Sequence, residues 1–255
     1  MTQCRNDSGQ GEAMAGMTVG RRMKRRFYQM LELGSVKTVY QPVVSMSDSS
    51  IIGHEALSRG PIPDLVSPAI LFQVAAQESA SSRLDVLCCR SAIEHFSTHG
   101  RQNGLLFINL LPETLETGAL DVSQLTDWVQ SHGMRPDRVV LEVTEKEMCD
   151  PAAFYTGVSR LRQAGFGFAV DDVGTGQSNL ALLCDLVPEF IKLDLEFVRL
   201  TRMRPVRRKL VESLVQFADK IGAMMVAEGI ESSSDAEVFR LLGVPLAQGF
   251  LYRSA

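Results

Sequence analysis

The stretch Phe166-Gly-Phe-Ala-Val-Asp171-Asp172-Val-Gly-Thr-Gly176 decides how this chain is read. Phe166–Val170 is an apolar run with strand character. It ends in two adjacent carboxylates and opens into a glycine-rich loop. Two like charges that close repel, and one is expected to take up a proton. A divalent cation removes that penalty by supplying the opposite charge. The pair therefore points to a metal site at the end of a strand. Asp-Asp by itself is also compatible with an acidic turn that caps the next helix, so the rest of the chain has to decide.

Outward from this strand one theme repeats. Runs rich in Val, Ile, Leu and Phe at Thr38–Val44, Ile51–Leu57, Leu105–Leu110, Val139–Val143, Gly167–Asp171, Phe190–Leu193, Met224–Ala227 and Ala247–Leu251 read as strands. Helical periods lie between most of them, at Ile70–Glu78, Arg83–Phe96, Ser123–His132, Ala152–Gln163, Arg207–Ile221 and Ser234–Leu242. Continuous apolar strands suit a parallel sheet buried on both faces. Alternating β and α allows an open doubly wound sheet or a closed (β/α)8-type barrel. The first two strands are too close for a helix between them and read as a hairpin through Ser47-Asp48-Ser49. We therefore expect an α/β barrel with one antiparallel strand.

The polar residues sit near strand ends: Glu55, Asn109, Glu142 with Glu145 beyond it, Asp171-Asp172, Lys192, Glu228 and Gln248. In a barrel these ends share one rim, where catalysis in this fold resides. Glu, Asn and Asp are hard oxygen donors suited to Mg²⁺ or Mn²⁺, and an aspartate can bridge two such ions. Glu55 is expected at the surface of the rim. Read singly, Lys192 could snorkel to solvent, Glu231 could cap the helix near Ser232, and Gln41 and Arg59 could be ordinary surface groups.

Composition narrows the classes. In 255 residues, 45% hydrophobic, there is ample material for a core. A net charge of −4 argues against coating a DNA or RNA duplex. Five irregularly spaced cysteines without CxxC favour reduced thiols in the cytoplasm over a zinc framework or disulfides, and vicinal Cys88-Cys89 reads as packing. His54, His95, His99 and His132 form no HExxH motif, and no Walker or Rossmann glycine loop occurs. No apolar run is long enough for a membrane span. Residues 1–20 read as a disordered leader and 21–255 as the barrel domain, with the basic run Arg21–Arg26 opening a helix.

Tyr40-Gln-Pro-Val-Val44, Glu55-Ala-Leu-Ser-Arg59, Phe107-Ile-Asn-Leu110, Leu141-Glu-Val-Thr-Glu145, Asp171-Asp-Val-Gly-Thr-Gly176, Ile191-Lys-Leu-Asp194, Val226-Ala-Glu-Gly-Ile-Glu231 and Gln248-Gly-Phe-Leu251 together resemble the EAL domain of bacterial cyclic di-GMP phosphodiesterases. The resemblance runs from about Arg25 to the C-terminus, with the motifs in the family's order. It implies a TIM-like barrel and two Mg²⁺ or Mn²⁺ ions per site. Glu55, Asn109, Glu142 and Asp171 would ligate the first ion, and Asp171 and Asp172 the second, with Gln248 supporting its shell. Lys192 and Glu228 would position and activate the attacking water, Glu228 as the base. Gln41, Arg59 and Asn109 would contact cyclic di-GMP, which would be hydrolysed to pGpG. Glu145 would brace the loop after Asp172, which in this family couples dimerisation to metal binding, so a homodimer is implied.

Val173 stands where the family usually has Phe and Gln177 where it usually has Tyr. The chain stops at Arg253-Ser-Ala255, where the family usually continues through a proline and a last helix. With no GGDEF-type or sensor sequence visible, the chain reads either as a stand-alone enzyme or as one whose control lies in a protein partner. A catalytically silent cyclic di-GMP receptor or protein-interaction module on the same barrel is the alternative. A barrel hydrolase acting on another phosphodiester is a third reading.

Overall fold

A computed structural model describes residues 20–98, 104–144, 148–174, 180–201 and 204–252. Helix α1 (Arg21–Leu33) precedes β1 (Lys37–Ser45) and β2 (Ile51–Arg59). Then follow α2 (Pro68–Gln77), α3 (Ser81–Thr98), β3 (Leu105–Asn109), α4 (Pro112–Glu116), α5 (Val122–Ser131), β4 (Val139–Val143), α6 (Pro151–Gln163) and β5 (Gly167–Val173). The chain continues through α7 (Leu180–Leu186), β6 (Phe190–Leu193), α8 (Leu195–Thr201), α9 (Pro205–Ile221), β7 (Met224–Ala227), α10 (Ser233–Leu241) and β8 (Leu246–Gln248). The eight strands close in sequence order into a barrel. β1 is antiparallel to both β2 and β8, and every other pair is parallel.

The expected hairpin is present. Ser49 adopts φ 60°, and the Ser50 amide donates to Asp48 Oδ1 at 3.0 Å, an Asx turn closing the tip. Helix ends carry local signals. Asp121, Asp150 and Ser232 cap α5, α6 and α10 by accepting from backbone amides, while Gly34 and Gly222 end α1 and α9 at positive φ.

Alternation along the strands sorts two apolar layers. Phe107, Val140, Ala169, Phe190, Val226 and Leu246 pack together inside the barrel. Leu106, Leu141, Phe168, Ile191, Met225 and Ala247 face the surrounding helices in the main core. Gly53 supplies room for the interior: a Cβ there would lie 2.9 Å from the Phe107 ring. A separate cluster under α1–α3 buries Phe27, Met30, Leu71, Val74 and Leu84. Vicinal Cys88 and Cys89 are both buried, as packing residues should be.

Three expectations change. β5 runs on to Val173 instead of stopping at Asp171. β8 ends at Gln248, and Phe250–Tyr252 forms a 3₁₀ turn. Gly249 breaks the strand because its backbone lies against Ile230, where a Cβ would be 2.1 Å from the carbonyl oxygen. Short helices α4, α7 and α8, which the apolar periods did not reveal, complete the outer layer. No described helix is long and apolar enough to cross a membrane. Residues 1–19, read as a leader, lie outside the described residues, as do Glu145, Gln177 and His99.

Candidate active site

Two residues beyond each interior apolar residue stands a polar one on the same face. Phe107 is followed by Asn109, Val140 by Glu142, Ala169 by Asp171, Phe190 by Lys192, Val226 by Glu228 and Leu246 by Gln248. Strand alternation puts i and i+2 on one face, so these groups form the top storey of the barrel interior. Gly53 and Glu55 stand in the same relation on β2.

Lys192 occupies the middle. Its Nζ lies 2.8 Å from Glu142 Oε1, 2.8 Å from Glu228 Oε1, 3.4 Å from Glu55 Oε2 and 3.6 Å from Asp171 Oδ1. The lysine is 1% exposed, so it does not snorkel outward. Glu55 is also buried, at 5%, which corrects the expectation that it sits at the rim's surface. The closed hairpin pair explains this. Glu55 sits opposite Gln41 on β1, and amides from two further strands cover its oxygens: Asn109 Nδ2 donates to Oε1 at 2.9 Å and Gln248 Nε2 donates to Oε2.

Burial and charge divide the carboxylates. Burial raises Glu142 well above its usual range, and it pushes Glu228 up to about 8 and raises Asp171, with Lys192 only partly offsetting it. Burial also acts on Glu55, but Lys192 with the Gln248 and Asn109 amides outweighs it and holds that carboxyl below its ordinary value. Burial alone would lower Lys192. Asp171, Glu142, Glu228 and Glu55 together raise it well above 10.5, so it stays an ammonium.

Asp171 and Asp172 owe their arrangement to a bulge. Val170 pairs with Ile191 and Val173 with Leu193, so two aspartates on β5 oppose the single Lys192 on β6. Asp172 adopts φ 58°, a left-handed conformation that Asp tolerates better than most residues. Its amide donates to Asp171 Oδ1 at 2.8 Å. In an unbroken strand the second aspartate would point to the opposite face.

Two cavities flank this ring and share Glu55. One, of about 330 Å³, is lined by Glu55, Asn109, Glu142, Phe72, Asp85 and Cys88 among others. The second, of about 280 Å³, is lined by Gln41, Asp171, Glu228, Gln248 and Phe250 among others. The structure therefore brings together Glu55, Asn109, Glu142, Asp171, Lys192, Glu228 and Gln248, with Gln41 in the wall and Asp172 beside Asp171. Arg59 ends β2 at the same rim, two residues beyond Leu57, which lines both cavities; it lines neither itself, and its Nη1 donates to the Ser58 carbonyl at 2.8 Å. Glu231 does not cap α10, since Ser232 does; it pairs with Arg199 at 2.8 Å.

Asp85 went unread in the sequence. It is 1% exposed, its Oδ2 accepts from the Leu111 amide at 3.0 Å, and burial pushes its carboxyl up to about 7. The available signal was an acid on the apolar face of α3, between Leu84 and Cys88.

The residues fit divalent ions. Four carboxylates against one ammonium leave the ring short of positive charge. Glu142 Oε2 and Gln248 Oε1 are buried with no hydrogen-bond partner, and all the donors are hard oxygens. Among the described residues no three His, Cys, Asp or Glu side chains yet converge as a ready-made cage. The Lys192 ammonium stands between them.

Comparison with known proteins agrees with this fold. The family model described as the EAL domain matches residues 24–255. The probable cyclic di-GMP phosphodiesterase PdeB of Escherichia coli K12 is 34% identical over 251 residues, covering 95% of this chain and 48% of that protein. The cyclic di-GMP phosphodiesterase RocR of Pseudomonas aeruginosa is 30% identical over 229 residues, covering 87% of this chain and 58% of that protein. The chain thus spans about half the length of these relatives. Klebsiella pneumoniae BlrP1, solved with manganese and cyclic di-GMP at pH 9.0, superposes with TM-score 0.78 at 33% identity, over 85% of this chain and 55% of that one. The EAL enzyme Bd1971, solved with cAMP and cyclic di-GMP, gives TM-score 0.81 at 26% identity, over 91% of this chain and 65% of that one. This chain belongs to the EAL domain family.

Proposed function

We propose that this chain is a cyclic-guanylate-specific phosphodiesterase that hydrolyses cyclic di-GMP to linear pGpG, with two Mg²⁺ or Mn²⁺ ions per site. The observation that carries the reading is the buried ring in which Lys192 contacts Glu55, Glu142, Asp171 and Glu228. The solved complex of BlrP1 with manganese and cyclic di-GMP supports the ligand and ion class.

Glu55, Asn109, Glu142 and Asp171 would hold one ion and Asp171 and Asp172 the other; Gln248, expected beside the second ion, fixes Glu55 of the first through its amide and lines the cavity that Asp171 also lines. Divalent ions held there would supply positive charge against the phosphodiester and the leaving oxygen and would acidify a bound water. Glu228 is the proton acceptor, the most solvent-accessible of the carboxylates that meet Lys192, at 19%. Its raised pKa suits a base working near neutrality. Lys192 holds Glu228 at 2.8 Å and orients it. Gln41 and the amide of Asn109 line the two cavities, which would receive the two halves of the dinucleotide. Arg59 would contact the ligand from the rim end of β2, and Glu145 would brace the loop after Asp172. A homodimer in the cytoplasm, controlled by a protein partner and without DNA or RNA duplex binding, completes the proposal.

The test is a comparison of cyclic di-GMP with bis-p-nitrophenyl phosphate under saturating Mn²⁺. Strong preference for the cyclic dinucleotide is expected. Equal turnover of both would favour the generic barrel hydrolase. Binding of cyclic di-GMP without turnover would favour the silent receptor.

A further inference from the structure

Lys192 sits mid-strand between Ile191 and Leu193, both fully buried, in the storey above the apolar barrel interior. Four carboxylates reach it from different positions around the barrel: Glu55 on β2, Glu142 on β4, Asp171 on β5 and Glu228 just beyond β7. Two of the four contacts, to Glu142 and Glu228, are at 2.8 Å, and all four pair the ammonium with a carboxylate, so opposite charge holds it there. Charges this deep are tolerated only when opposed. The same oxygens are the ones an entering ion needs. We propose that Lys192 is the resident counter-ion of the metal-free site: its ammonium keeps the carboxylate ring assembled, and a divalent ion competes with it for Glu55, Glu142 and Asp171. This rests on reading the ring as a metal site. It assigns Lys192 a positioning role separate from any contact with the reacting water.

Lys192→Met keeps the length and apolar stem of the side chain and removes the charge. Thermal melting would be followed in EDTA and in saturating Mn²⁺, and Mn²⁺ affinity by the electron paramagnetic resonance of the free ion. In EDTA the variant should melt roughly 10 °C below the parent, as expected when buried acids lose their partner. Saturating Mn²⁺ should close most of that gap. Its Mn²⁺ affinity should be about tenfold tighter or more, because no ammonium competes. An unchanged melting temperature in EDTA, or unchanged or weaker Mn²⁺ affinity, would overturn the proposal. Should Lys192→Met fail to fold, the double variant Lys192→Met/Glu142→Gln removes one acid with the ammonium. It should fold and melt above the single variant in EDTA, and failure to improve on it would also overturn the proposal. Absence of Mn²⁺ binding by the parent would instead overturn the metal reading and the competition with it, while the melts in EDTA still decide the counter-ion role.

Discussion

Glu228 and Lys192 meet at 2.8 Å, carboxylate oxygen to ammonium, Lys192 from within β6 and Glu228 from the position just after the neighbouring β7. The contact is fixed by backbone placement as much as by charge. Lys192 lies within β6, and the Glu228 amide donates to the Leu193 carbonyl at 3.1 Å. The next turn is then locked onto β8, because the Ile230 amide donates to the Gln248 carbonyl and the Leu251 amide to the Ile230 carbonyl, each at 3.0 Å.

That lock depends on Gly249. A Cβ there would meet Ile230 backbone atoms at 2.1 and 2.3 Å, and backbone cannot turn aside as a side-chain tip can. Gly249→Ala should cost roughly 2–4 kcal/mol of stability by forced strain and lower turnover by displacing both Glu228 and Gln248. Urea melts and rate measurements check this. Near-parental values in both would show that the two loops are not coupled.

Glu55→Gln should fold but lose turnover by at least about 100-fold. The charge facing Lys192 disappears while the side-chain volume stays. Glu55→Ala is the harsher change, since it strands the Asn109 and Gln248 amide donors in a buried site. It should add a loss of roughly 1–3 kcal/mol in stability. A Glu55→Gln enzyme near the parental rate would remove Glu55 from the site.

Asp172 combines a charge with a left-handed backbone. Asp172→Asn keeps the tolerated conformation and should fold like the parent while losing turnover. Asp172→Val should in addition lose about 1–2 kcal/mol, the order of the left-handed penalty for a bulky residue. Equal stability of the two variants would contradict the bulge geometry.

Asp85, across the cavity from Glu55 and Glu142 and making no ion pair with Lys192, sets a pH dependence of stability of its own. Burial raises its carboxyl from 3.8 to about 7 in the folded state. The folded state therefore binds this proton more tightly. Its contribution is complete below about pH 4 and is lost as pH rises through about 7. Asp85→Asn should gain on the parent across that window, by up to about 4 kcal/mol at pH 8. Urea melts at pH 5 and pH 8 measure the change in the gap. A gap that stays constant would show that Asp85 is not held protonated by burial.

Much of this was legible because strand ends carried polar groups that nothing local explained. Glu142 in Val139–Val143 and Lys192 in Phe190–Leu193 interrupt strands that are otherwise apolar, and a barrel gathers such interruptions at one rim. The side on which Asp172 falls was not legible, because a bulge is set by pairing with β6 and not by β5 alone. The depth of Glu55 depends on Asn109 and Gln248, distant in sequence, so it too escaped. Glu231 is close to the start of α10 and resembled a cap, yet Ser232 takes that role and Arg199 of α8 claims the carboxylate.

Metal-dependent hydrolysis by this ring is read most directly by chromatography of cyclic di-GMP incubated with the purified protein and with Glu228→Gln, under Mg²⁺, Mn²⁺ or EDTA. The parent should give pGpG with either ion and none in EDTA, and the variant at most a trace. Intact cyclic di-GMP under both ions, or cleavage that persists in EDTA, would contradict metal-dependent hydrolysis by the ring.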